Sequence, residues 1–256
     1  MSDTVSYVYA VVRDADERAI EGIRGVGGAS VRLVGAGDLR AVVSDADRSE
    51  FEERALDERL EDLAWLTTTA RAHHRVVDTV GRTQLVAPLS LATVYYGDDR
   101  VREILHSGRE AFGQVLDRLA GRSEWGVKAY VRPRTGRSER SGPDDAARPR
   151  SGADYLRQRR DALRNTEAES DEERREADEV HRAVAELAVD DRRLRLQDAT
   201  LAETSDRMVL NGAYLVPTAS APGVAALVDS FRDHPRLRVE LTGPWVPYSF
   251  AQAAGP

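Results

Sequence analysis

The sequence Val239-Glu-Leu-Thr-Gly-Pro-Trp-Val-Pro-Tyr-Ser-Phe250 joins the end of a strand to an aromatic arm. Side chains alternate along an extended chain, so Val239 and Leu241 face one side of the predicted strand. Gly243-Pro244 should end the ladder, and Pro247 removes a second backbone donor. The residues after the strand can therefore neither pair as a central strand nor wind into a helix, and we predict an extended arm.

The arm, residues 243–256, concentrates aromatic side chains that are scarce elsewhere. Aromatic residues make up 6% of the chain, yet Trp245, Tyr248 and Phe250 lie close together near its end, where frayed polar residues are usual. Their complete burial would contribute on the order of 10 kcal/mol as an upper bound. We predict that the arm folds back, with Trp245 packing near Trp125 or on the N-terminal domain, and so joins the two domains.

Upstream of the arm, the elements from residue 123 onwards alternate in a recognisable order. We predict a strand at 125–131, a helix at 153–188, an arginine-rich strand at 193–196, an apolar strand at 208–216, a helix at 220–235 and the final strand. This βαββαβ order is that of a ferredoxin-like domain, in which the first and third strands lie inside. The arginine-rich strands fall at the predicted edges, where charge discourages stray pairing. The first helix would be about 50 Å long, so it should break or overhang the sheet.

Residues 132–152 interrupt this domain with a run of Pro, Gly, Ser and Arg that lacks large apolar side chains. Such a composition buries too little surface to offset the loss of conformational entropy. We predict a flexible, disordered insertion.

Residues 1–122 form a separate N-terminal α+β domain in this interpretation. A β-rich run at 5–12 precedes a hairpin at 30–44, whose glycines near Gly35-Ala-Gly-Asp38 allow a tight turn. Apolar residues with helical spacing from Ser49 to Gly81 predict one long amphipathic helix or two joined end to end. A β-rich run at 85–96 and a helix at 98–121 follow. The fold class is therefore α+β with two domains, 1–122 and 123–256.

Composition restricts the function classes. The chain has 256 residues, no cysteine and a formal net charge of -7. Without cysteine there are no disulfides or thiolate metal sites, which fits a reducing compartment. The negative charge disfavours nucleic acid as a partner, and no apolar run is long enough to span a membrane. We expect a cytoplasmic protein that binds neither nucleic acid nor membrane.

The motifs of common active sites are missing, so we assign no catalytic, cofactor-binding or metal-binding residue. Gly22-Ile-Arg-Gly-Val-Gly-Gly28 lacks the Gly-Lys-Ser/Thr end of a phosphate loop. His73 and His74 are adjacent on a helix and point about 100° apart, unlike the four-residue spacing of paired metal ligands. The chain is predicted not to be an enzyme and to need no cofactor, although an enzyme of unfamiliar chemistry stays open as an alternative.

An RNA-binding ferredoxin-like module is the second alternative. Tyr130 and Tyr214 lie in the predicted inner strands and could stack bases, but the aromatic string typical of RNA-recognition modules is absent from 208–216. Two tyrosines in central strands are more often ordinary sheet residues, and the negative net charge also disfavours this alternative.

A charged partner surface is a further hypothesis. The parity of the edge strands could gather basic side chains on the sheet face opposite the helices. The residues concerned are Arg193, Arg195, Arg236 and Arg238, with Lys128 nearby. A solvated edge that resists aggregation is an equally good reading.

The ending Leu241-Thr-Gly-Pro-Trp-Val-Pro-Tyr-Ser-Phe250 resembles that of the gas vesicle protein F/L family (GvpF/GvpL), which ends in Thr-Gly-Pro-Trp-Pro-Pro-Tyr-Ser-Phe. Other blocks resembling the family span nearly the whole chain. They are Trp125-Gly-Val-Lys128, Asn211-Gly-Ala-Tyr-Leu-Val216, Ala72-His-His74 and Pro88-Leu-Ser-Leu-Ala-Thr-Val94.

The resemblance implies a non-enzymatic accessory or minor structural protein of gas vesicle formation. Such a protein binds the small hydrophobic shell-forming protein and other accessory proteins, supports nucleation or assembly, and resides in the cytoplasm or on the gas vesicle. The motif residues that could contact a partner or join the domains are Trp125, Gly126, Lys128, Tyr214, Thr242, Gly243, Pro244, Trp245, Pro247, Tyr248 and Phe250.

Overall fold

A computed structural model describes residues 3–13, 15, 17–132, 152–197 and 206–251. The chain divides into two compact units. The first comprises the residues up to Glu124 together with those from Pro244 onwards, and the second runs from Trp125 to Gly243. The arm, which the sequence analysis grouped with the C-terminal domain, thus belongs to the first unit.

The described part of the first unit contains one antiparallel sheet. Its strands are β1 (Thr4–Arg13), β2 (Arg32–Ala36), β3 (Leu39–Asp47), β4 (Val86–Pro88) and β5 (Val94–Tyr95). Strand β1 pairs with β3, β4 and β5, while β2 pairs with β3. The β2–β3 hairpin turns at Gly37, whose φ of 61° suits glycine, at the position that the sequence predicts.

Five helices complete the described part of this unit. They are α1 (Arg48–Phe51), α2 (Glu53–Glu61), α3 (Leu63–Gly81), α4 (Asp98–Ser107) and α5 (Arg109–Leu119). Helices α1, α2 and α3 take the place of the one or two helices predicted from Ser49 to Gly81. The helix is interrupted because Glu52 and Asp62 adopt extended backbone angles. The Asp62 carboxylate accepts N–H bonds from Ala64 and Trp65 and so starts α3. Gly108 separates α4 from α5, where one helix was predicted.

The core of the first unit lies between the sheet and α3. Val76, Val77 and Val80 of α3 are buried with Tyr7 and Tyr9 of β1. Because two tyrosines occupy this core, their hydroxyl groups need partners within the unit.

The glycine-rich segment 22–28 supplies one of these partners. The Tyr9 hydroxyl accepts the Val26 N–H at 2.7 Å and lies 2.7 Å from Oγ of Ser44. A Cβ on Gly25 would sit 2.1 Å from that hydroxyl, so glycine makes room for the tyrosine. The structure gives this segment a packing role.

The second unit is built on a sheet with the strand order β7-β8-β6-β9. The strands are β6 (Arg122–Val131), β7 (Asp190–Arg193), β8 (Met208–Pro217) and β9 (Leu237–Trp245). Strands β7 and β9 are the edges. Strand β9 continues through Gly243-Pro244 to Trp245, so the prediction that this pair ends the strand is wrong. An edge strand tolerates proline because the missing N–H can face away from the sheet.

Two helices pack on this sheet, α6 (Gly152–Ala185) and α7 (Ala221–Ser230). Only the second half of α6 contributes to the described core, through Ala177, Val180 and Val184. The described side chains between residues 156 and 169 are all exposed. Helix α6 is therefore unbroken and overhangs the sheet, which is one of the two outcomes predicted from its length.

Two predicted segments differ in extent. The edge strand predicted at 193–196 lies at Asp190–Arg193, although Leu194 N–H still donates to Asn211 O at 2.8 Å. Of the predicted insertion at 132–152, residues 133–151 lie outside the described residues.

Candidate functional site

The candidate site is the aromatic arm with the helix α3 surface that receives it. The strand that leads to the arm is held close to β6: Thr242 Oγ1 lies 3.4 Å from Gly126 O, and a Cβ on Gly126 would sit 2.5 Å from Thr242 Oγ1. Gly243 has a φ of 119°, which non-glycine residues rarely adopt. Gly126, Thr242 and Gly243 therefore fix the path of the strand from which the arm leaves.

Beyond Trp245 the arm packs into the first unit. Pro247 and Ala251 are buried, and Phe250 has no exposed surface. Val246 lies over the end of α3, where a Cβ on Gly81 would meet its Cγ2 at 2.7 Å. The arm is thus a component of the core, with Phe250 as its most deeply buried anchor.

A charged acceptor fixes the turn that carries Phe250. Tyr248–Phe250 form a short 3-10 helix, and Ser249 at its centre donates twice to the Glu124 carboxylate. Its backbone N–H reaches Oε2 at 2.8 Å and its hydroxyl reaches Oε1 at 2.6 Å. Hydrogen bonds to an ionised group are among the stronger ones in proteins, so Glu124 clamps the arm.

Two histidines of α3 form the floor beneath the arm aromatics. The ring centroid of Tyr248 lies 6.0 Å from that of His73 and 6.1 Å from that of His74. The ring centroids of Trp245 and His74 are 6.1 Å apart. His73 is buried, whereas His74 is exposed. One histidine therefore belongs to the core and the other lies at the surface beside Trp245.

A hydrogen-bonded chain orients His73. The Ala92 N–H donates to the Tyr7 hydroxyl at 2.9 Å, and that hydroxyl lies 3.0 Å from Nδ1 of His73. The Tyr7 hydroxyl has one proton, so it can donate to Nδ1 while it accepts from Ala92. Nδ1 then acts as an acceptor, which requires a neutral imidazole. Ala92 holds this position with a φ of 62°, an uncommon angle for alanine.

Burial governs the ionisation of this cluster. It lowers the pKa of His73 to about 4, with a smaller contribution from nearby His74 and an opposing one from the Leu89 backbone. Burial also raises the pKa of Tyr7 and of Tyr248. All three groups are therefore neutral at pH 7, as expected for polar side chains in an apolar core.

We predict that His73 makes the first unit sensitive to acid. The unfolded chain protonates this histidine near pH 6.5 and the native one near pH 4, so the free energy of unfolding falls as the pH is lowered through that window. The loss should reach at most about 3 kcal/mol. Urea unfolding between pH 7 and pH 4 measures it.

His73→Gln should remove this part of the pH dependence, because glutamine does not titrate. His106→Gln, at an exposed position of α4, is the matched control and should keep the wild-type slope. Equal slopes for wild type and His73→Gln would contradict the prediction.

Trp245 differs from the other arm aromatics because 46% of its surface is exposed. The sequence predicts that Trp245 packs near Trp125 or on the N-terminal domain; in the structure its ring lies beside His74 of α3, and Phe250 is the more deeply buried residue. One face of Trp245 contacts His74, and much of the rest is open. Large exposed aromatics are enriched in interfaces, so Trp245 is the arm residue best placed to meet a partner.

The motif residues Trp125 and Tyr214 make contacts within the second unit that stabilise its fold. Trp125 packs against the apolar core of that unit, and Lys128 is partly buried in β6. The Tyr214 hydroxyl lies 2.7 Å from Nδ1 of His181, whose Nε2 lies 3.2 Å from Asp191. These contacts tie α6 to strands β7 and β8.

The two tyrosines considered as base-stacking residues are not open. Tyr214 is completely buried. Tyr130 is 6% exposed, and the Arg238 guanidinium lies 4.4 Å from its ring centroid. Neither ring presents a free face to a base, which removes the observation that favoured an RNA-binding module.

The four arginines of the predicted charged surface are divided among different partners. Arg236 pairs with Glu172 and Glu176 of α6, and Arg193 pairs with Asp178 of the same helix at 2.7 Å. Arg238 pairs with Asp206 and Glu240.

Arg195 is exposed, and its carbonyl accepts an N–H bond from Asn211 at 2.8 Å. The structure therefore does not bring these four side chains together as one uncompensated basic face.

No group of three or more His, Asp or Glu residues in the described part of the chain is arranged to hold a metal ion. None of the described helices is both long and apolar enough to cross a membrane.

Sequence reasoning missed Glu124, which hydrogen-bonds to the arm, and Tyr7 and Ala92, which orient His73. The signal was present in two blocks, Ala72-His-His74 and Pro88-Leu-Ser-Leu-Ala-Thr-Val94, that had no assigned role. In the structure His73 of the first block lies beside Tyr248 of the arm, and Ala92 of the second block is linked to His73 through the Tyr7 hydroxyl.

The chain is similar to known proteins over nearly its whole length. The family model "Gas vesicle synthesis protein GvpL/GvpF" matches residues 5–252. The chain belongs to this family. The match includes both units and the arm, so the GvpL/GvpF pattern covers the whole described fold.

Individual relatives agree. The chain is 41% identical to gas vesicle protein L of a Streptomyces species, over 99% of this chain and 95% of that protein. It is 26% identical to gas vesicle protein F2 of Halobacterium salinarum, over 98% and 93% of the two chains.

Solved structures show the same fold. The crystal structure of GvpF from Anabaena superposes with a TM-score of 0.68 at 18% identity and covers 98% of each chain. GvpF from Microcystis aeruginosa gives a TM-score of 0.65 at 18% identity, over 97% of this chain and 99% of that one. The mixed α+β architecture with two antiparallel sheets is thus shared with GvpF.

Proposed function

We propose that this GvpL/GvpF family member is an accessory protein of gas vesicle formation that binds the small hydrophobic shell-forming protein and supports nucleation or assembly of the vesicle. The observation that carries the proposal is the family match over residues 5–252. The half-exposed Trp245 on a rigidly docked arm supports it, because a soluble accessory protein needs an apolar surface to hold a hydrophobic client.

The proposal is for a binding protein without catalytic activity. The described residues show no metal cluster, and the titratable groups with large pKa shifts are core groups. His73, Tyr7, Tyr214 and Tyr248 are displaced chiefly by burial. Hydrogen bonds place Tyr7, His73 and Tyr214, and ring contacts with His73 and His74 place Tyr248. We propose that the protein resides in the cytoplasm and on the gas vesicle, as the family match suggests.

We also propose that the second unit is a ferredoxin-like domain. The support is the strand order β7-β8-β6-β9, in which the first and third strands of the unit lie inside. Helices α6 and α7 follow the first and third strands, as that arrangement requires.

Co-purification tests the function. The tagged chain and its cognate shell protein should be co-expressed, treated with nuclease and purified at physiological salt. We expect the shell protein to remain bound, and retention should not depend on nucleic acid. Failure to retain it, or retention of RNA in its place, would contradict the proposal.

A further inference from the structure

A groove lies beside the arm and is lined in part by Trp245 and Val246. This arm groove has a volume of about 220 Å³ and belongs entirely to the first unit. The lining residues that matter are Arg82, Gln84, Leu85, Arg122, Trp245 and Val246.

The arm groove is apolar on two sides. Leu85 is 37% exposed and Trp245 is 46% exposed, although both are large apolar side chains. Val246 and buried Val86 also line the groove. The docked arm therefore builds a shaped apolar surface of a size that suits one apolar side chain of a partner.

A polar group at the floor lacks a partner. Gln84 Oε1 is buried and finds no hydrogen-bond partner among the residues that the structure describes. A buried carbonyl oxygen without a donor costs free energy. Because this oxygen has almost no accessible surface, a donor in the groove can reach it only if the Gln84 side chain rotates.

The rim of the arm groove is positively charged. Arg82 and Arg122 line it together with a single carboxylate, Asp78. Arg82 pairs with Asp78 at 2.7 Å, but 75% of the Arg82 side chain remains exposed. An exposed pair of this kind is weak, so Arg82 can also attract an incoming carboxylate.

We infer that the arm groove binds a segment of the partner in which an apolar side chain is adjacent to an acidic residue. The apolar side chain enters between Leu85 and Trp245, and the carboxylate faces Arg82 and Arg122. This inference rests on the proposed function and identifies the surface that holds the hydrophobic shell protein.

Two substitutions test the groove without removing a fully buried side chain. Leu85→Asp removes apolar contact and repels an acidic partner, and Arg82→Glu reverses charge at the rim. The matched controls are Leu63→Asp at the start of α3, where Leu63 is 76% exposed, and Arg75→Glu on the exposed side of α3. Circular dichroism melting of all four variants checks that the fold is kept.

The probe is a set of fluorescent overlapping peptides that covers the cognate shell protein, titrated with the full-length chain and followed by anisotropy. Leu85→Asp should weaken the tightest peptide about tenfold or more, as for an interface hot spot. Arg82→Glu should weaken it severalfold and flatten its salt dependence, because rim charges are screened. Both controls should bind like wild type.

The outcomes separate the inference from the proposed function. If the wild type and all variants bind with equal affinity, the shell protein is still a partner but the arm groove is not its site. If the wild type retains neither the peptides nor the full-length shell protein, both proposals fail. If light scattering shows a wild-type dimer that Leu85→Asp dissociates, a second copy of this chain occupies the groove, and the inference is overturned.

Discussion

Phe250→Ala should lower the free energy of unfolding of the first unit by about 3 to 5 kcal/mol, because it leaves a cavity where a completely buried ring had packed. Thermal unfolding followed by circular dichroism should show the shift. The substitution lies near the end of the sequence, where truncations are often tolerated. A large loss there would establish that the arm is part of the core.

Trp245→Ala is the matched comparison on the same arm. Because 46% of Trp245 is exposed, its truncation removes less buried surface and should cost roughly half as much as the Phe250 change. Phe250→Ala with an unchanged melting temperature would show that the arm does not stabilise the first unit. The reverse order of the two variants would show that Trp245 is the anchor.

Gly212→Ala should destabilise the second unit by about 2 to 4 kcal/mol, in the range of overpacked cores and broken buried hydrogen bonds. A Cβ at this position would lie 2.6 Å from the Tyr214 hydroxyl and 2.7 Å from its ring. That ring is completely buried and hydrogen-bonded to His181, so it cannot move aside cheaply. Urea unfolding measures the change.

Gly223→Ala is the control for that experiment. Gly223 lies in α7, and an added Cβ would meet Leu187 at an ordinary distance of 3.8 Å. Alanine is favoured over glycine in a helix by up to about 1 kcal/mol, so this variant should be as stable as wild type or more stable. Equal destabilisation by both changes would mean that the close approach of Tyr214 is not the cause.

The structure assigns separate roles to the residues of the ending that resembles the family. Gly243 and Thr242 fix the path of the strand, Phe250 is buried in the core, and Trp245 is partly exposed at the surface. Ser249 connects the arm to Glu124 across 125 positions of sequence. An arm held in this way is preorganised, which lowers the entropy lost when a partner binds it.

Features that depend on neighbouring residues could be predicted from the sequence alone. Alternation of apolar side chains predicted β9, whose Val239 and Leu241 pack against the core of the second unit. The glycines near Gly37 predicted the hairpin turn, and periodicity predicted the long helix α6. Each of these follows from side-chain direction or backbone freedom within a few residues. The family resemblance of the ending was also readable directly, and the match over residues 5–252 confirms it.

Which of these side chains are buried, and what they contact, became clear from the folded structure. Phe250 and Trp245 are similar apolar aromatics, so the arm sequence cannot tell which one faces the core. Tyr7, His73 and Ala92 come together from separate elements, and the acidic face of α6 takes up Arg193 and Arg236. Burial and ion pairing depend on residues that are distant in the chain, so they could not be predicted from local sequence patterns. Strand alternation and turns depend on adjacent residues, so they could.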